Sequence, residues 1–172
     1  VSQYKWEEFR AMHANGSPFI AHLNLEGKVI GGNGTGIDRY QQLLRRIPPY
    51  RRGREDVQSF ELSLTDVRSA IRLQDSTPEF ELAAIATTIR HAAILGCYLL
   101  GDPRFGRHTA VQHFCHRMQL PPEISEEFPE LYTYRMSLAR LRPWPVGASF
   151  AMSRRWVERA DILVREVSRL AV

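Results

Sequence analysis

Cysteine is scarce in this chain. Cys97 and Cys115 are the only two in 172 residues, which excludes a disulfide framework. Both fall in apolar helical stretches and read as reduced core thiols, which points to a cytoplasmic location. Long hydrophobic runs are missing too. The longest, Ala92 to Leu100, is well short of the roughly 18 residues a membrane span needs, so no membrane partner is expected. No basic-then-apolar leader opens the chain. It begins at Val1 in a polar, aromatic segment and reads as a fragment, a processed chain or the ordered part of something longer. Strands alternating with helices are absent, which argues against an α/β sheet. There is no internal repeat and no low-complexity tract.

Lysine is the other absence. Lys5 and Lys28 are the only two, and the remaining 21 basic residues are arginine. Arginine's planar fork donates two hydrogen bonds at once to a phosphate, although a GC-rich genome produces the same bias without any function. The net charge of +4 permits a nucleic-acid partner without demanding one. Hydrophobic content of 44% and charged content of 24% are those of an ordinary globular chain that can bury a core without staples.

The pattern predicts a mainly α fold: an N-terminal helical segment over 1–50, then a bundle of about five helices over 51–172. Tyr4 to Ala14 reads as a first helix, ended by Asn15-Gly16. Ser17-Pro18 is a helix-start signal, with Gly27 as the stop. Gly31 to Gly36 is read as a flexible loop. It lacks the preceding strand and following Lys-Ser/Thr of a phosphate loop. Asp38 is expected to cap a helix through Ile47, broken by Pro48-Pro49. The bundle helices are expected over Glu55–Leu73, Thr77 to about Leu100, Arg107–Met118, Glu126–Leu141 and Phe150–Leu170. Pro129 would then lie near a first turn. Trp144, Phe150 and Trp156 are expected to close the bundle rather than stack bases. Arg154, Arg155, Arg159, Arg165 and Arg169 interleave with Glu158, Asp161 and Glu166, which predicts a solvated ion-pair face.

Reactive residue types gather between Ile89 and His116. Here an apolar helix runs into Gly101-Asp102-Pro103-Arg104-Phe105-Gly106, and Arg107 follows at the expected start of the next helix. Arg104 and Arg107 are the candidate phosphate-binding residues, because a helix N-terminus adds backbone N–H groups that face an anion. His113, Cys115 and His116 suggest a metal. Only the two histidines share a helix face, and structural zinc sites want four ligands at recognisable spacing, so neither a metal nor a cofactor is expected. His22 and His91 read as helix-surface or satisfied core residues.

Two segments resemble a known family. Ser17-Pro18-Phe19-Ile20-Ala21-His22-Leu23-Asn24-Leu25-Glu26-Gly27 is similar to the rear of bacterial nucleotidyltransferases of the polymerase-β superfamily. Arg90 to Leu95, with Gly101 to Arg107, resembles the helical domain of HEPN type that trails such a core in prokaryotic toxin–antitoxin and defence loci. The superfamily's Gly-Ser followed by paired aspartates is missing: Gly16-Ser17 leads into Pro18. Nucleotidyl transfer needs those acids to hold divalent metal, so this chain alone is not expected to perform it. The resemblance implies an accessory or binding domain that contacts RNA or tRNA phosphates, or a partner protein such as a nucleotidyltransferase. As alternatives it leaves a HEPN-type, metal-independent ribonuclease or a purely structural interaction module. HEPN ribonucleases carry an arginine, roughly four to six residues and then a histidine, in a site usually completed across a homodimer. Arg107 and His113 stand at that spacing. In that role histidine would move the proton and arginine would stabilise the phosphate's developing charge. A chain with 21 arginines and 6 histidines also produces this spacing by chance.

Overall fold

The computed structural model describes residues 4–171. Among them there are eight helices and no strand. The mainly α class holds, but the helix count is eight where about five and a short segment were expected. Val1–Gln3, the start of the polar opening, and Val172 lie outside the described residues. The chain divides into two compact units, Val1–Gly53 and Arg54–Val172.

The first unit holds α1 (Trp6–Ala14), α2 (Pro18–Glu26) and α3 (Gly34–Leu44). Phe9, Ile20 and Leu44 form its core, with Phe19, Leu23 and Tyr40 packed around them. The α1–α2 turn needs a glycine. Gly16 has φ +65°, and a Cβ there would stand 2.2 Å from the Pro48 carbonyl oxygen. Ser17 then caps α2, its hydroxyl accepting from the Phe19 N–H at 3.3 Å. The α3 reading is corrected. The helix starts at Gly34 and ends at Leu44, so half of the expected glycine loop is helical and Asp38 lies inside. Asn33 is the reason: its Oδ1 accepts the Gly36 N–H at 2.7 Å, so the cap stands at Asn33 rather than at Asp38. At the far end, His13 Nε2 lies 2.8 Å from the Leu43 carbonyl and 3.1 Å from that of Arg46.

The second unit is organised around α5 (Pro78–Leu99), which packs against α6 (Thr109–Arg117), α7 (Pro122–Arg140) and α8 (Phe150–Leu170). By length and composition α5 could cross a membrane, with a mean hydropathy of 1.4 over its most apolar window. Thr87, Thr88, Arg90 and His91 interrupt its apolar runs, which is why no long run stands out in the sequence. In this structure 61% of that window is buried by its neighbours, as for the central helix of a bundle. α8 is amphipathic. Trp156, Ala160, Leu163 and Val167 face inward at 1% exposure or less, each large apolar side chain contributing about 1.5–3 kcal/mol by burial. α4 (Gly53–Leu73) adds Leu64, Val67 and Ile71 to the core. α7 begins four residues earlier than expected, because Pro122 stands in its first turn, where its missing N–H is harmless. Pro129 is therefore inside the helix rather than near its start.

Candidate functional site

The turn between α5 and α6 is built from the helix end outward. Leu100 is the last α-region residue, and Gly101 takes φ +76°. The Gly101 N–H then bonds the Tyr98 carbonyl at 3.0 Å and the Asp102 N–H the Cys97 carbonyl at 3.1 Å. This is the Schellman closure, which satisfies carbonyls the helix leaves unpaired. It also fixes the position of Asp102, the residue that organises the site.

Asp102 Oδ2 lies 2.8 Å from His113 Nε2, and its Oδ1 lies 3.1 Å from an Arg104 guanidinium nitrogen. The His113 contact is close but not aligned as a hydrogen bond, since that nitrogen otherwise counts as buried without a partner. It is best described as an ion-pair contact that forms when the imidazole is protonated. One carboxylate thus faces two of the three residues singled out from the sequence, and the side chain that joins them was not among the candidates. Its signal was available: it is the residue after a left-handed glycine at a helix end, a position fixed by backbone bonds.

Arg107 is placed differently. α6 starts at Thr109, so Arg107 lies in the turn before the helix rather than in its first turn. It is exposed and has no acidic partner among the described residues. The structure thus brings His113 and Arg104 each to Asp102, and among the described residues no hydrogen bond or ion pair joins His113 to Arg107. His116 and Arg117 are exposed on α6. His108 packs edge-on against Phe128 and Tyr132, at ring centroid distances of 6.0 and 5.6 Å.

The two cysteines are buried structural thiols. Cys97 donates to the Ala110 carbonyl at 3.4 Å. Burial, and then the nearby Asp102 carboxylate, push its pKa up to about 12. Burial and the neighbouring Cys97 push Cys115 to about 12 as well. Neither forms a thiolate near neutral pH, which excludes nucleophilic chemistry at these sulfurs. Among the described residues no group of three or more His, Cys, Asp or Glu side chains is gathered to hold a metal. His91 is exposed, yet its pKa is lowered by desolvation first and then by Arg90 and Arg135, with Asp56 opposing.

The arginine-rich face of α8 is largely an ion-pair surface. Arg159 makes paired hydrogen bonds of 2.7 and 3.0 Å to Glu127, which holds that carboxyl below the usual range. Arg155 approaches the same carboxylate at 3.5 Å, and Arg169 meets Glu166 at 2.6 Å. Asp161 pairs with Arg68 of α4. Arg159 also lies over the Trp156 ring at 4.7 Å. Trp156 closes the bundle, whereas Trp144 is half-buried against the exposed Phe80 at 5.2 Å. Comparison with family models, with curated proteins and with solved structures finds no match to this chain.

Proposed function

We propose that this chain is a helical binding domain that holds the phosphate backbone of RNA through arginine. Its setting would be a nucleotidyltransferase-like protein of a prokaryotic toxin–antitoxin or defence system. The observation that carries the reading is Arg107, exposed in the turn before α6 with no acid beside it. The nearest carboxylate on that turn, Asp102, already faces Arg104 and His113. Arg107 therefore has no ion pair to give up on meeting an anion, and Arg117, at the other end of α6, is a second exposed arginine. The all-helical fold suits such a domain, and the resemblance of the turn to HEPN-type domains supplies the setting.

The test is fluorescence anisotropy of a short single-stranded RNA in rising salt. Affinity should fall steeply, with a log–log slope of about −0.7 per phosphate neutralised. Arg107→Gln should weaken binding evenly across sequences and flatten that slope by about the share of one contact. A salt response near zero would point to a protein partner instead. No binding at all would leave a structural interaction module.

One observation favours a second reading, the metal-independent ribonuclease. The Asp102 carboxylate lies 2.8 Å from His113, and a carboxylate beside a catalytic imidazole is a recurring arrangement in proton transfer. If His113 moves the proton, His113→Ala should remove RNA cleavage in the presence of a chelator while leaving the circular dichroism spectrum and unfolding midpoint near wild type. Cleavage that persists in this variant would end that reading.

A further inference from the structure

A groove between α4 and α8, on the second unit, is built like a small-ligand site. Its floor is apolar: Ile71 from α4 and Val157 from α8 lie beneath it, 6% and 4% exposed. Its volume is about 490 Å³, within the range of roughly 300–1,000 Å³ for small-molecule sites. The Arg68–Asp161 pair joins the two helices at one side of it. Arg72 and Arg154 line it from opposite helices, and neither meets an acidic partner among the described residues. Gln74 and Glu158 also line it, and neither makes a hydrogen bond or ion pair there.

These features specify the occupant. Two guanidinium groups without an ion-pair partner call for an anionic head, best a phosphate, which accepts paired N–H donors. The apolar floor calls for a body that covers it, and a free inorganic anion would not. Gln74 and Glu158 call for a polar edge on that body, and a hydrocarbon tail would leave both unpaired. A carboxylate accepts but cannot donate, so Glu158 selects an exocyclic amino group over a carbonyl. We propose that this groove binds a nucleoside monophosphate with an amino-bearing base, free or as the phosphorylated end of a strand. The base lies over Ile71 and Val157, Arg72 and Arg154 hold the phosphate, and Glu158 accepts from the base amine. No residue of the α5–α6 turn takes part, so this site stands or falls apart from the backbone-binding reading.

Calorimetric titration of the full chain with CMP, UMP, inorganic phosphate and a 5′-phosphorylated oligonucleotide tests it. CMP should bind about tenfold tighter than UMP, in line with the discrimination one base-edge contact provides. Inorganic phosphate should bind weaker still. Arg154→Gln, an exposed change that leaves the core intact, should weaken CMP about tenfold or more. Glu158→Gln should erase the preference for CMP over UMP, because an amide can also donate. Arg142→Gln, an exposed change outside the groove, should leave CMP affinity unchanged. An oligonucleotide tighter than CMP assigns the strand end as the natural occupant, and one equal or weaker assigns the free nucleotide. The proposal is overturned if no nucleotide binds at millimolar concentration, if inorganic phosphate binds as tightly as CMP, or if Arg154→Gln changes nothing.

Discussion

Phe114→Ala is expected to lower the free energy of unfolding by about 3–5 kcal/mol, the range for truncating a buried aromatic. Urea denaturation followed by circular dichroism would measure it. The ring is 0% exposed and rests on α5 at the one place where that helix has no side chain. A Cβ at Gly96 would stand 2.3 Å from Phe114 Cε2. Gly96→Ala therefore sets two effects against each other. Alanine gains about 1 kcal/mol of helix propensity, and overpacking costs about 1–3 kcal/mol. The clash should win, because the ring has no free volume to move into, so the single variant is destabilised. With Phe114 already cut to alanine the methyl enters a vacated space, and Gly96→Ala should then stabilise. That reversal of sign is the double-mutant signature of direct contact. A Gly96→Ala variant more stable than the parent would show that α6 does not seat there. The contact matters for the site as well, since Phe114 is the neighbour of His113 and its seating sets where that imidazole meets Asp102.

The second large effect concerns Glu81. It lies near the start of α5, is 3% exposed, and neither carboxylate oxygen has a hydrogen-bond partner. Burial pushes its pKa up, and Asp75 and Glu79 push the same way, while Ser153 opposes. The Ser153 hydroxyl is directed to the Ser149 carbonyl at 3.3 Å, which is why it does not satisfy the acid. The helix dipole favours a charge near this end, but burial outweighs it. A carboxyl with a raised folded pKa holds its proton when the unfolded chain has released it. Its contribution is fully present below the ordinary value of 4.5 and declines as pH rises from there toward the folded pKa. Unfolding the parent and Glu81→Gln in urea at pH 5 and pH 8 isolates this term, because the other titrating groups cancel in the difference. Glu81→Gln should gain on the parent with rising pH and be the more stable at pH 8, because the amide carries no charge to desolvate. A difference constant with pH would show that Glu81 carries its charge in the folded state.

Helix existence was legible in this sequence because apolar spacing is a long-range signal, and α8 runs over the range expected from its stripe. Helix ends were harder to read. α3 starts early because the single side chain of Asn33 offers a cap that Asp38 also seemed suited to offer. Pro122 signals a stop for the helix before it and an acceptable first turn for the helix after it, and only packing chooses between them. Several ends also lack the usual glycine. Gln74, Gln119 and Leu141 take φ of 53°, 53° and 50°, in a region that costs a side-chain-bearing residue about 1–2 kcal/mol. Backbone closures offset it at two of these ends, where the Leu120 N–H reaches the Cys115 carbonyl at 2.9 Å and the Arg142 N–H the Ser137 carbonyl at 3.0 Å, and the residue types there do not announce them. The candidate site was half legible for the same reason. Arg104, Arg107 and His113 announce themselves by residue type, whereas the role of Asp102 depends on where the chain places it.

Asp102 has one further consequence. Its amide closes the end of α5, and its carboxylate faces His113 and Arg104. Fraying of the last turn of α5 therefore also displaces the carboxylate that the imidazole and the guanidinium share. Amide exchange at Asp102 reports how often that displacement occurs. Whatever the turn contacts meets either a clamped histidine beside a tethered arginine, or both set free together.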